Sequence, residues 1–189
     1  MRAGGEGSGR LTLALLLINF VIYVLFAILS RNPLVIDRRL LAIYGQYNLL
    51  VYRGLYWQLV TSIFLHANLL HILGNSLFLA IFGFRAEELF TRGQYLLVYF
   101  GSGLAGNLLT LLMGPSVVSV GASGAIFGLF GASTMYLRRA MNQSVFGALV
   151  YSMYLFILNA GANVNLIAHF GGLVFGLIAG LLMARARYA

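Results

Sequence analysis

The chain has 189 residues, of which 61% are hydrophobic and 8% charged. A soluble domain carries about 25% charged residues and could not hide this much apolar surface in one small core, so the composition excludes an ordinary soluble protein and asks for lipid as solvent. The net charge of +8 comes from arginine alone, set beside apolar runs, which argues for topology and headgroup contact and against nucleic acid; the absence of cysteine excludes disulfides, thiolate metal sites and thiol catalysis.

A hydrocarbon core about 30 Å thick needs about 20 helical residues to cross it. Residues 1–10 (MRAGGEGSGR) predict a short disordered tail. The apolar run 11–30 is longer than a signal-peptide core and no A-x-A pattern follows, so it predicts a retained first span. Residues 31–61 mix Arg31, Asp37, Arg38, Arg39 and Arg53 with Tyr44, Tyr47, Tyr52, Tyr56 and Trp57. Such a mixture suits the headgroup region, so an interfacial first loop with short helices is expected. Further spans are predicted at 62–84, 95–113, 122–137, 145–158 and 166–184, the fourth of them short for a full crossing. Residues 114–120 connect the third and fourth, broken by Pro115.

Placing the N-terminus in the cytoplasm puts Arg2, Arg10, Arg85, Arg92, Arg138, Arg139, Arg185 and Arg187 inside, and leaves outside only the four arginines of the first loop. The positive-inside rule favours this arrangement, with both termini cytoplasmic.

All three histidines lie in or at the ends of apolar runs. Ionisable groups at membrane depth are costly and point to function, although any one histidine can equally be a hydrogen bond between helices. His71 and Asn75 are four apart and share a helix face, and His66 lies five before His71. In the expected topology these groups, Ser123 and His169 fall at similar depth in the outer half of the bilayer. Ser123 sits in Gly121-Ala122-Ser123-Gly124-Ala125, and His169 precedes a ridge of Gly172, Gly176 and Gly180. Small residues let helix axes approach, and close axes are what a serine and a histidine on separate helices need to meet.

A serine hydroxyl becomes a nucleophile when a neighbouring base takes its proton, and a neutral histidine can take it and pass it to the leaving amine. Asn75, His71 and backbone amides at the helix start can supply oxyanion donors. The one aspartate, Asp37, lies in the first loop, so the pair would be a dyad. Gly121-Ala-Ser-Gly-Ala is not the G-x-S-x-G elbow of soluble hydrolases, its second glycine coming one place early.

The stretches HANLLHILGNSLF (66–78), GASGAIFG (121–128) and AHFGGLVFG (168–176), in that order, resemble the rhomboid intramembrane serine proteases. The resemblance covers nearly the whole chain and implies an all-α, six-transmembrane-helix bundle over residues 11–189, in its minimal prokaryotic form. It implies Ser123 as nucleophile, His169 as base, and His71, Asn75 and the Ser123 amide as the oxyanion site. It also implies supporting roles for His66, Gly121, Gly124, Phe127, Gly172, Trp57 and Glu87, the last paired with Gly83. Its partners would be transmembrane protein substrates in the lipid bilayer of the cell membrane, with no metal or cofactor. Three positions depart from the family pattern: Gln58 where Arg often follows Trp57, Phe127 where Tyr is frequent, and Thr91 in place of a third glycine after Glu87. A non-catalytic relative that binds membrane helices, and a small transporter with a histidine proton relay, are the alternatives. The first is expected to lose the serine or histidine, and the second to carry paired repeats that the sequence lacks.

Overall fold

A computed structural model describes residues 9–142 and 164–188, with 144, 146, 147 and 150 between them. Four long helices frame it: α1 (Arg10–Leu29), α5 (Leu69–Leu89), α6 (Arg92–Thr110) and α8 (Leu166–Tyr188), with α7 (Ser123–Ala140) enclosed among them. Short helices α2 (Arg38–Tyr44), α3 (Asn48–Tyr52) and α4 (Gln58–Thr61) build the first loop. Strands β1 (Gln46–Tyr47) and β2 (Val118–Ser119) form an antiparallel pair, Gln46 opposite Ser119 and Tyr47 opposite Val118. The expected span at 145–158 falls mostly outside the described residues.

The four long helices are each long and apolar enough to cross a membrane. Their outward faces carry exposed Leu17, Phe20, Val24 and Ile28 on α1, Leu73, Leu77 and Ile81 on α5, and Phe170, Ile178 and Leu182 on α8. Water would penalise that surface and lipid does not. Helix α7 is different. It is 18 residues long, and Gly124, Ala125, Gly128, Gly131, Ala132 and Ser133 are buried along it. A helix enclosed by other helices needs small residues for close approach rather than a lipid-facing apolar stripe.

The glycine ridge explains the centre of the bundle. A Cβ added at Gly172, Gly176 or Gly180 would fall inside 3 Å of backbone atoms of Gly124, Gly128 and Ala132 respectively. The register advances by four on both helices, so α7 and α8 run parallel with their backbones in contact. Helix α6 closes the third side: Gly106 abuts the Ala168 carbonyl, and Gly128 faces the Ser102 hydroxyl.

Local signals set the helix ends. Asn68 caps α5 by accepting from the His71 amide at 2.8 Å. Thr91 and Gln94 form a capping box that starts α6 at Arg92, three residues before the expected start. Thr91, in place of the family's glycine, thus has a structural task of its own. The second span is the main correction to the sequence reading. Residues 62–64 form a 3₁₀ turn and Leu65 and Asn68 are extended, so the helix begins at Leu69, not 62, and His66 precedes it. The sixth helix also runs on past 184 to Tyr188.

The first loop is pinned by buried amides. Gln58 is fully buried; its Oε1 accepts from the Tyr47 amide at 3.0 Å and its Nε2 donates to the Ile43 and Ala42 carbonyls. Gln58 therefore anchors the loop at the position where arginine is frequent in the family. Asn48 Nδ2 donates to the carbonyls of Thr110 and Gly114, and Asn107 Nδ2 to Leu59 O and Ser62 Oγ, tying the loop to the end of α6. Tyr44, Tyr52, Tyr56 and Trp57 stay exposed on this layer, with the Tyr44 and Trp57 rings 6.4 Å apart.

Candidate active site

Strand β2 leads into a sharp turn that opens α7. Gly121 has φ 127°, a conformation reserved in practice for glycine, and its amide donates to Ser62 O at 2.9 Å. Ser123 is then the first helical residue, and no side chain caps the helix start. Uncapped amides at a helix N-terminus attract negative charge. Ser123, His71, Asn75 and His169, the residues proposed from sequence for chemistry, line one cavity of about 840 Å³, together with Asn165.

His169 stands on the first turn of α8, buried, with its ring stacked on Phe127 at 4.5 Å and 28°. The departure from tyrosine leaves this stacking intact. The Nδ1 atom of His169 is buried with no hydrogen-bond partner among the described residues. Asn165 sets where α8 begins. Its Oδ1 accepts from the Ala168 amide at 3.0 Å, and its Nδ2 donates to Thr110 Oγ1 and Ser119 Oγ. One side chain thus fixes the start of α8 to α6 and to the strand before Ser123. It carries no family motif; the only hint in the sequence is an amide four residues before His169.

His71 accepts from the Ala67 amide on Nδ1 at 3.4 Å. A neutral ring that accepts there carries its hydrogen on Nε2. That nitrogen lies 2.8 Å from the point where a Gly121 Cβ would stand, and Ser123 Oγ lies 3.8 Å from the same point. Gly121 is therefore the space that lets an N–H donor and the serine face one opening. Asn75 donates to His71 O at 2.9 Å, which fixes its amide beside that ring.

Other residues named from the sequence lie elsewhere. His66 is buried behind His71, edge-on at 5.1 Å, and does not line the cavity. Gly172 belongs to the α7–α8 seam, and Gly124, which meets it there, also lines the cavity. Trp57 lies in the first loop, and Glu87 is sixteen residues beyond His71, about 24 Å along α5. There Glu87 caps α1, accepting from the amides of Leu11 and Thr12 at 3.0 Å and from Thr12 Oγ1 at 2.8 Å. Gly83 makes room for Thr12 at the same crossing. Among the described residues, no three His, Asp or Glu side chains gather as a metal site would require.

A family model described as the Rhomboid domain matches residues 53–186. The chain belongs to the rhomboid family. It is an integral membrane protein of that family's helical type, and its relatives include named proteases. It is 37% identical over 146 residues to YdcA of Bacillus subtilis (strain 168), a protein named for the rhomboid proteases; the match covers 73% of this chain and 70% of YdcA. It is 30% identical to Rhomboid-like protease 3 of Toxoplasma gondii, over 82% of this chain and 62% of that one. It is also 30% identical to Rhomboid protease GluP of Bacillus subtilis (strain 168), over 91% of this chain but 35% of GluP. The chain thus spans well under two thirds of some of the rhomboid proteins it matches.

Proposed function

We propose that this rhomboid is an intramembrane serine endopeptidase working through a Ser123–His169 dyad. The observation that carries the reading is the shared cavity. A hydroxyl at an uncapped helix start, an imidazole on the helix packed backbone-to-backbone beside it, and an N–H-bearing His71 ring converge on one space. Ser123 Oγ attacks the scissile carbonyl carbon while His169 takes its proton. Charge collects on the carbonyl oxygen, where His71 Nε2–H, the Asn75 amide and the Ser123 N–H can donate. The C–N bond then breaks, and the histidine returns the proton to the leaving amine. Water hydrolyses the acyl-enzyme by the same route in reverse.

The substrate is a membrane-anchored protein whose helix unwinds locally to expose a peptide bond, so weak helix formers near the cut are expected. The account includes six spans, an interfacial first loop, a cell-membrane location and both termini in the cytoplasm, as the arginine distribution favours. The test is cleavage of a single-span transmembrane substrate in proteoliposomes. Wild type should cut it, and Ser123→Ala and His169→Ala should not. Cleavage by Ser123→Ala at the wild-type rate would remove the serine from the chemistry.

A further inference from the structure

Among the described residues, one charged side chain lines the cavity. Arg38, in the first turn of α2, lines it together with Leu41, one helical turn on. Leu41 is buried against a cluster that includes Ile72, the residue after His71, and this packing holds α2 on the oxyanion side of the opening. Arg38 itself is exposed.

The chain offers this cation little compensation. Its four acidic residues are Glu6, Asp37, Glu87 and Glu88. Glu87 and Glu88 lie at the far end of α5, where Glu87 caps α1, and Glu6 falls outside the described residues. Asp37 is adjacent, but its carboxylate caps α2 by accepting from the Arg39 amide at 2.6 Å, and among the described residues it forms no ion pair with Arg38. Residues 140–165, which connect α7 to α8, contain no acidic residue and no basic one. The other residues lining the cavity are neutral or histidine, and its inner end is apolar, walled by Phe78, Phe82 and Phe130. A low-dielectric wall beneath a cation focuses its field into the opening.

We infer that Arg38 is a specificity-determining residue that favours substrates carrying an aspartate or glutamate beside the scissile bond. The inference rests on the protease reading and names the substrate class of that same site. An acidic side chain entering at the rim meets a positive partner there, and a basic one is repelled.

The experiment compares a neutral-flanked single-span substrate with variants carrying one Asp, or one Lys, at each position within four residues of the cut, in proteoliposomes at low salt. For wild type, kcat/KM for the best Asp substrate should exceed that for the neutral one about five-fold, as a partly exposed ion pair allows, and should fall toward parity at high salt. Arg38→Gln should bring the ratio to about one, Arg38→Lys should keep most of it, and Arg38→Glu should invert it in favour of Lys. An Asp-to-neutral ratio unchanged by Arg38→Gln, or no Asp preference at any position in wild type, overturns the inference while leaving the protease reading standing. Failure of wild type to cut any substrate sinks both.

Discussion

Gly172→Ala puts the smallest possible wedge into the seam that joins the two candidate catalytic helices. The added Cβ would stand 2.7 Å from Gly124 C and 3.0 Å from its Cα, and closer still to its carbonyl oxygen. Ordinary contact begins at 3.4 Å, and all three obstacles are backbone, so no side chain can swing aside. The helices must part by about 1 Å, since packed interiors hold no slack to absorb the methyl. Overpacking of this kind destabilises by about 1–3 kcal/mol. Gly172 lies three residues after His169 and Gly124 one after Ser123. The same displacement therefore separates base from nucleophile, and a misplacement of about 1 Å can lower a rate about 100-fold. Two assays are needed: denaturant unfolding in a mild detergent for stability, and the rate of reaction with a fluorophosphonate for the serine. Gly93→Ala is the control, because nothing lies within 4 Å of its added Cβ; on propensity it should stabilise α6 by about 0.5–1 kcal/mol. A Gly172→Ala protein with wild-type stability and wild-type labelling would refute the seam argument.

Gly121→Ala should nearly abolish fluorophosphonate labelling in protein that still folds, because it strains the φ of 127° and thrusts a methyl to 2.8 Å from His71 Nε2; labelling within ten-fold of wild type would contradict it. Asn165→Ala should destabilise by about 2 kcal/mol through loss of the Ala168 cap and two side-chain bonds, and should slow labelling, with Asn165→Asp restoring the cap in part. Glu87→Gln, one end of the bundle away, should cost about 1–3 kcal/mol in unfolding experiments while the folded fraction labels at the wild-type rate. Slower labelling by that folded fraction would mean that the α1–α5 crossing also shapes the cavity.

What the sequence disclosed was periodic or costly. The glycines at 172, 176 and 180 repeat at the helical period and do meet α7 backbone at every step. Ser123, His71, Asn75 and His169 stand out because polar groups at membrane depth are expensive, and the structure gathers them at one cavity. Glu87 is a carboxylate near the end of an apolar helix, yet nothing local to it reveals that it caps α1, because the partner is 75 residues away. The start of α5 was hidden because Ile63, Phe64 and Leu65 extend the apolar run upstream of the helix; the Asn68 cap decides where the helix begins. The anchoring roles of Gln58 and Asn165 were not legible for a different reason. Their work is to satisfy backbone groups distant in sequence, and an amide side chain gives no hint of which carbonyls it will meet until the loops are folded.

The central claim is that Ser123 is a nucleophile because His169 activates it. The most direct measurement is fluorophosphonate labelling of the detergent-solubilised full chain, with the modified residue mapped by mass spectrometry. The account predicts one adduct, on Ser123, lost in Ser123→Ala and slowed at least 100-fold in His169→Ala. An adduct on another serine, or labelling of His169→Ala at the wild-type rate, would contradict it.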